Sequence, residues 1–313
     1  MNQIKSIIIA AVILLVIGSL VGMTVTRHDD AAKHKPPQAT RQNVCLLLDL
    51  SDRISPSLQP LQVEKDKRTI GALVDLFEED VKKKLYVNSM DSIRVAVAEQ
   101  PTGYGETLLK ISDAMTIDMS DQKPNKKRDE FPKQKERFLS KVEELYQVAS
   151  SNTAYAGADI WRFFREDLDK YRITGTSEAP VRNVLVVVTD GYITFGDQKN
   201  RPRAGSRASY MEVSQFRHNG WEKEFDRRDS GLISGMKHPD WEVLVLQVNP
   251  HKTEDLPIIS KYWSKWFDEM GISNYRIEKT NDSTRLSRQV IASFLNQAKG
   301  TQKVEHVAKA GAH

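Results

Sequence analysis

The chain has 313 residues, of which 39% are hydrophobic, and this is enough for one large domain or two smaller ones. Its 46 Lys and Arg residues nearly balance its 42 Asp and Glu residues, so no overall charge favours nucleic acid or an acidic partner. The single cysteine, Cys45, excludes an intramolecular disulfide framework.

The N-terminal region predicts a membrane anchor. Residues Ile7 to Met23 form a nearly continuous apolar run, long enough to cross most of a ~30 Å hydrocarbon layer. The core of a signal peptide is the alternative, and the lack of a convincing cleavage site near Ser19 to Thr26 favours the anchor. Basic residues flank both ends, so the positive-inside rule does not fix the orientation. We expect a single-pass membrane protein with an anchor over 1–26, a linker over 27–41 and a soluble domain that is periplasmic or extracellular rather than cytoplasmic.

The rest of the chain predicts one α/β domain over 42–299, followed by a disordered tail over 300–313. Strands are predicted at 44–48, 92–98, 107–119, 184–188, 241–248 and 275–279. The stretch 107–119 is taken as a short edge strand because its apolar residues lack a clean helical stripe. Helical patterns lie between the strands, at 58–77, 131–148, 157–164, 256–270 and 284–298. This alternation predicts a doubly wound, mostly parallel sheet with helices on both faces.

Two segments stand outside this alternation, and one of the predicted helices is rich in aromatic residues. The basic loop 121–128 is predicted to be solvated rather than a phosphate or nucleic-acid site. The aromatic residues near 160–164 are predicted to pack in the core. Residues 195–228 are rich in arginine and aromatic residues without a sustained period, which allows either a recognition loop above the sheet edge or a surface insertion with partial helix at 210–221.

Polar residues follow two of the apolar strands directly. The run that begins at Val44 ends at Asp49 and Ser51, and the run that begins at Val184 ends in a Thr-Asp-Gly turn containing Asp190. The carboxyl ends of parallel strands share one edge of a sheet, where ligands bind in open α/β folds. Between them in the sequence, the small-residue loop 151–160 opens a helix.

This set resembles the metal-ion-dependent adhesion site of the von Willebrand factor A (VWA) domain, which combines Asp-x-Ser-x-Ser, a loop Thr and a Thr-Asp-Gly turn. The family pattern is met, in order, by Asp49, Ser51, Thr153 and Asp190. Arg53 stands where the family has its second Ser, and Ser55 is the next hydroxyl. The resemblance implies a Rossmann-like sheet with an antiparallel edge strand. It also implies a Mg²⁺ or Mn²⁺ site whose open position accepts an acidic residue of a protein partner.

Arg53 leaves two arrangements open. If its guanidinium points inward, it would pair with Asp49 or Asp190 and weaken metal binding. If it points outward, Ser55 or a water would supply the missing oxygen.

The residues favour binding over catalysis. No nucleophile–histidine pair or phosphate-binding loop accompanies the acidic set, so we expect a protein-interaction module that is not an enzyme and does not bind nucleic acid. One alternative is a metal-dependent phosphohydrolase or nuclease, in which the paired acids would hold ions that activate water. The other is a structural assembly subunit that needs no metal.

Overall fold

The fold comes from a computed structural model, which describes residues 40–99, 105–151, 157–196, 201–280 and 283–297. Within these residues a six-stranded sheet has the order β3–β2–β1–β4–β5–β6, and every strand is parallel to its neighbours except β3, which is antiparallel to β2. The strands are β1 (Arg41–Leu48), β2 (Ser92–Val97), β3 (Thr116–Asp118), β4 (Val181–Val188), β5 (Trp241–Val248) and β6 (Asn274–Lys279). A mixed α/β fold with a mostly parallel sheet is therefore confirmed.

Helices connect these strands. They are α1 (Gln62–Lys83), α2 (Gly105–Asp113), α3 (Lys127–Ser150), α4 (Trp221–Arg227), α5 (Asp255–Met270) and α6 (Thr284–Leu295). An irregular helical segment, 160–171, changes from α-helix to π-helix to 3₁₀-helix along its length. Helix α5 ends at Gly271, whose φ of 76° lies in the left-handed region that glycine adopts at helix ends.

The two faces of the sheet belong to two separate hydrophobic cores. In β1, Val44, Leu46 and Leu48 pack with side chains of α1, α3 and α6. Cys45 and Leu47 point to the other face and pack with α5 and the 160–171 segment. This is the period-2 alternation of a strand that is covered on both sides. The ring centroids of Phe164 and Trp266 lie 4.8 Å apart in the second core. Core packing of these aromatic residues is thus confirmed.

The predicted strand over 107–119 is wrong for most of its length. Helix α2 occupies 105–113, and only 116–118 pair with β2. Leu108, Ile111 and Ser112 are buried, at the three- and four-residue spacings of one helix face. The neighbouring Leu109 is 46% exposed, and this apolar residue on the outer face obscured the stripe.

Some helix boundaries also differ from the prediction. Helix α1 starts at Gln62 rather than at residue 58, because Leu58 and Leu61 belong to an exposed turn, and it extends to Lys83. Helix α6 ends at Leu295. The partial helix predicted at 210–221 is a 3₁₀ turn at Val213–Phe216 followed by α4.

Several predictions fall on residues that the structure does not describe. The anchor over 1–26, the linker as far as residue 39, Thr153 and the tail over 300–313 all lie outside the described residues. In the described part of the chain, no helix is both long and apolar enough to cross a membrane.

Candidate metal centre

Two buried carboxylates meet at the carboxyl edge of the sheet. Leu48 and Val188 are register partners in the adjacent strands β1 and β4, and each strand is followed within two residues by an aspartate. The amide of Asp49 donates to the carbonyl of Val188 at 3.0 Å, so the strand pairing continues into the first acidic residue. Asp49 is 2% and Asp190 5% exposed. The structure thus brings together the two acids that the sequence places at one edge.

Two hydrogen bonds orient the carboxylate of Asp49. Its Oδ1 accepts from the amide of Ser51 at 3.0 Å, and its Oδ2 accepts from the hydroxyl of Thr189 at 2.7 Å. The Thr189 hydroxyl oxygen in turn accepts from the amide of Gly191 at 3.1 Å. The turns after β1 and β4 are therefore linked through one carboxylate, and Thr189 is a site residue that the sequence reasoning missed.

Asp190 has fewer partners. Its Oδ1 accepts from the amide of Tyr192 at 3.0 Å, and within the described residues its Oδ2 accepts no hydrogen bond. Ser51, 7% exposed, lies on the turn after β1. These oxygens supply two carboxylates and one hydroxyl at the edge of the sheet.

Burial raises the pKa values of both acids. Burial, followed by the charge of Asp49, raises the pKa of Asp190 to about 7. Burial also raises the pKa of Asp49, although the charge of Arg53 and the hydrogen bond from Thr189 oppose the rise. A nearby positive charge would therefore stabilise the ionised form of these two carboxyl groups.

The guanidinium of Arg53 points inward, but its carboxylate partner is neither Asp49 nor Asp190. Arg53 is 1% exposed and binds Asp66 of α1 through two parallel hydrogen bonds, of 2.7 and 2.9 Å. Its Nη1 also donates to the backbone carbonyl of Asp49 at 3.1 Å. The prediction that an inward guanidinium would pair with a site carboxylate is therefore wrong, and Arg53 instead supports the backbone of the site. Ser55 is also buried and bonds the hydroxyl of Ser57 at 2.9 Å.

Asp66 is the second residue that the sequence reasoning missed. It is fully buried and also accepts from the side-chain amide (Nε2) of Gln62 at 2.8 Å and the hydroxyl of Tyr146 at 2.9 Å. Burial, together with the charge of Asp66, raises the pKa of Tyr146 well above its usual value, so this phenol stays a donor. The signal was present in the sequence, because Asp66 precedes Ile70 by four residues and continues the apolar stripe of α1.

The donor set suits a hard cation that keeps part of its water shell. Mg²⁺ takes oxygen ligands and binds proteins through one or two carboxylates. Within the described residues of this cluster, three buried carboxylates, those of Asp49, Asp66 and Asp190, lie near only one guanidinium, that of Arg53. Among the described residues there is no group of three or more His, Cys, Asp and Glu side chains that could hold a metal ion. Any site here therefore depends on hydroxyl oxygens as well, and Thr153 lies outside the described residues.

The insertion is an integral part of the second core. Met211, Val213, Phe216, Phe225 and Leu232 are buried in it, and three two-residue strands, Arg203–Ala204, Arg207–Ala208 and Gly231–Leu232, form a small sheet. Four of the arginines in 195–228 are held in ion pairs, namely Arg201 with Asp159, Arg203 with Glu212, Arg207 with Asp229 and Glu269, and Arg217 with Asp255. Asp255 also accepts from the hydroxyl of Tyr192, next to the Asp190 turn. Recognition by this segment stays a prediction.

Comparison with known proteins assigns no family to the chain. No family model matches it, and no curated protein matches its sequence. Among solved structures, a chain of the pilus adhesin SpaC from Lactobacillus rhamnosus GG is similar, with 10% identity and a TM-score of 0.40. The match covers 83% of this chain and 30% of that chain, so this chain spans less than a third of the adhesin structure.

Proposed function

We propose that this protein is a membrane-tethered VWA-type module that binds a protein partner through a divalent cation, Mg²⁺ or Mn²⁺. The cation would be held by Asp49, Ser51, Thr153 and Asp190. One observation carries the proposal: two buried carboxylates share the carboxyl edge of β1 and β4, while the nearest guanidinium is bound to Asp66. A cation at this edge would neutralise charge that the described residues leave uncompensated.

The sheet supports the VWA interpretation. Its one antiparallel strand, β3, lies at the edge next to β2, where the resemblance places an antiparallel edge strand. The acidic turns follow the two central strands, at the edge where ligands bind in open α/β folds. Arg53 departs from the family pattern, but its bidentate ion pair is with Asp66, so its guanidinium forms no ion pair with Asp49 or Asp190.

The residues of this chain would have distinct roles. The Ser51 amide and the Thr189 hydroxyl fix the orientation of the Asp49 carboxylate before any ligand binds. Asp190, with a pKa of about 7, would lose its proton as the cation binds. The bound cation would supply positive charge for a carboxylate of the partner.

The proposal includes a location and a class of function. The apolar run Ile7 to Met23 would tether the protein to a membrane, with the domain on the periplasmic or extracellular side. The module would bind rather than catalyse, so hydrolysis of p-nitrophenyl phosphate with Mg²⁺ or Mn²⁺ would contradict it. Partner capture that is unchanged by EDTA would instead favour the metal-free assembly subunit.

Electron paramagnetic resonance of Mn²⁺ tests the proposal on the detergent-solubilised full chain. We expect the protein to remove the signal of free Mn²⁺ in a saturable manner, and the Asp190→Ala and Ser51→Ala variants to remove much less. Glutarate, a probe for the partner's carboxylate, should raise the apparent affinity for Mn²⁺, whereas its neutral analogue glutaramide should not. An unchanged free Mn²⁺ signal would refute the metal site, and equal effects of the two probes would refute carboxylate capture.

A further inference from the structure

The end of the domain opposite the candidate metal centre carries exposed apolar side chains. Helix α1 ends at this end of the sheet, and the loop that follows it leads into β2. Leu85 is 72%, Val87 44% and Met90 43% exposed. Large apolar side chains grouped in one exposed loop are typical of an interaction surface.

The backbone of this loop holds an apolar residue outward. Leu85 and Tyr86 have φ values of 56° and 59°, in the left-handed region that favours glycine at helix ends. The ring of Tyr86 packs against Phe131 at 5.8 Å between centroids, which fixes the turn against the core. Leucine at a position suited to glycine is costly, and such strain is kept where it serves a function.

Basic residues lie beside these apolar side chains. The ammonium group of Lys127 donates to the carbonyls of Ser89, at 2.6 Å, and of Val87, at 3.4 Å, and so holds the basic loop 121–128 against the apolar loop. Lys123, Lys126 and Arg128 of that region are exposed and form no salt bridge within the described part of the chain. The exposed acids of the same stretch are Asp121 and Asp129.

The chain enters the described domain at this same end. The carbonyl of Thr40, the first described residue, accepts from the ammonium group of Lys84 at 3.2 Å, and the amide of Gln42 donates to Asp91 at 2.7 Å. Asp91 in turn binds Lys84 at 2.8 Å. The 39 residues that precede Thr40 contain the apolar run that the proposed function treats as the tether.

We propose that this amino-edge patch, formed by Leu85, Val87, Met90, Lys123, Lys126 and Arg128, docks on an anionic lipid surface. This inference rests on the membrane tether of the proposed function. Apolar side chains flanked by cations suit the boundary between headgroups and acyl chains, and cations near an anionic leaflet add to the attraction. Docking of this end would direct the Asp49 and Asp190 edge away from the bilayer, toward a partner.

Fluorescence quenching on the full chain in vesicles tests the docking. A bimane label on Met90→Cys would report contact with lipid that carries a nitroxide on its acyl chain, and the same label on Leu58→Cys, 63% exposed near the opposite edge, is the matched control. In vesicles of equal parts phosphatidylcholine and phosphatidylglycerol, we expect loss of most of the fluorescence at position 90 and little loss at position 58. Combined charge reversal, Lys123→Glu, Lys126→Glu and Arg128→Glu, should abolish the quenching while the circular dichroism spectrum stays unchanged.

Flotation of the same vesicles separates the docking from the tether. Flotation with pure phosphatidylcholine shows the tether, and flotation without quenching at position 90 in anionic vesicles would overturn the docking while leaving the tether in place. Binding only to anionic vesicles, lost on charge reversal, would support the docking and overturn the tether. A protein that neither floats with the vesicles nor shows quenching would overturn both the docking and the tether.

Discussion

The buried pair of Arg53 and Asp66 offers a sharp test of how the site is supported. Both oxygens of the Asp66 side chain accept two hydrogen bonds, one from Arg53 in each case. Asp66→Asn removes the negative charge and turns an amide group toward two donors. Breaking a buried ion pair on one side costs about 3–5 kcal/mol, which is a large part of the ~5–15 kcal/mol that stabilises a typical domain. We therefore expect Asp66→Asn to lower the free energy of unfolding by about 3–5 kcal/mol.

Urea unfolding, followed by tryptophan fluorescence, measures this effect. The matched control is Glu106→Gln, which breaks the solvent-exposed pair of Glu106 and Lys110 on α2 and should change stability by less than about 0.5 kcal/mol. The double variant Arg53→Met with Asp66→Leu should recover most of the loss, because neither charge is then buried alone. The reasoning is refuted if Asp66→Asn and Glu106→Gln unfold at similar urea concentrations with similar slopes.

Four further predictions concern two glycines, Asp190 and Cys45. Gly191→Ala should destabilise the protein by about 1–3 kcal/mol in urea unfolding, since its φ is 101° and a Cβ atom would lie 2.8 Å from Val248. Gly71→Ala, in open space on α1, should instead stabilise it by about 0.5–1 kcal/mol. Folding raises the pKa of Asp190 to about 7, so the free energy of unfolding in EDTA should fall as pH rises from about 4 to about 7. Asp190→Asn should flatten this fall. A free energy of unfolding that rises over the same pH range would contradict the prediction. Burial raises the pKa of the Cys45 thiol, so iodoacetamide should label it only in the unfolded protein, and rapid labelling of the native chain would be evidence against this burial.

The central strands could be predicted because their residues are apolar on both faces. The runs beginning at Val44, Val184 and Trp241 have no solvent-facing alternation, so a buried parallel strand is the arrangement that accommodates them. The segment around Leu108 could not be assigned in the same way. Its helix has only nine residues, which is too short for a clear helical period. The exposed Leu109 on the outer face also breaks the apolar stripe that would have indicated a helix.

The candidate site was predictable only where its residues follow strands directly. Asp49 and Asp190 fall at strand ends, so their proximity follows from the topology. Asp66 and Tyr146 lie on helices that pack over one face of the sheet. Asp66 bonds Arg53, 13 residues away in sequence, and Tyr146, 80 residues away, so this cluster forms only through tertiary contacts. A charged residue on an apolar helix stripe is the available clue, and the surrounding run of exposed charges concealed it.

Calorimetric titration of Mg²⁺ into the detergent-solubilised full chain tests the central claim most directly. Asp190→Asn removes one proposed ligand, and Asp113→Asn, at an exposed position at the end of α2, is the matched control. We expect saturable binding in the parent and in Asp113→Asn, with loss of binding in Asp190→Asn. Absence of saturable binding in the parent, or equal binding in all three proteins, would contradict the central claim.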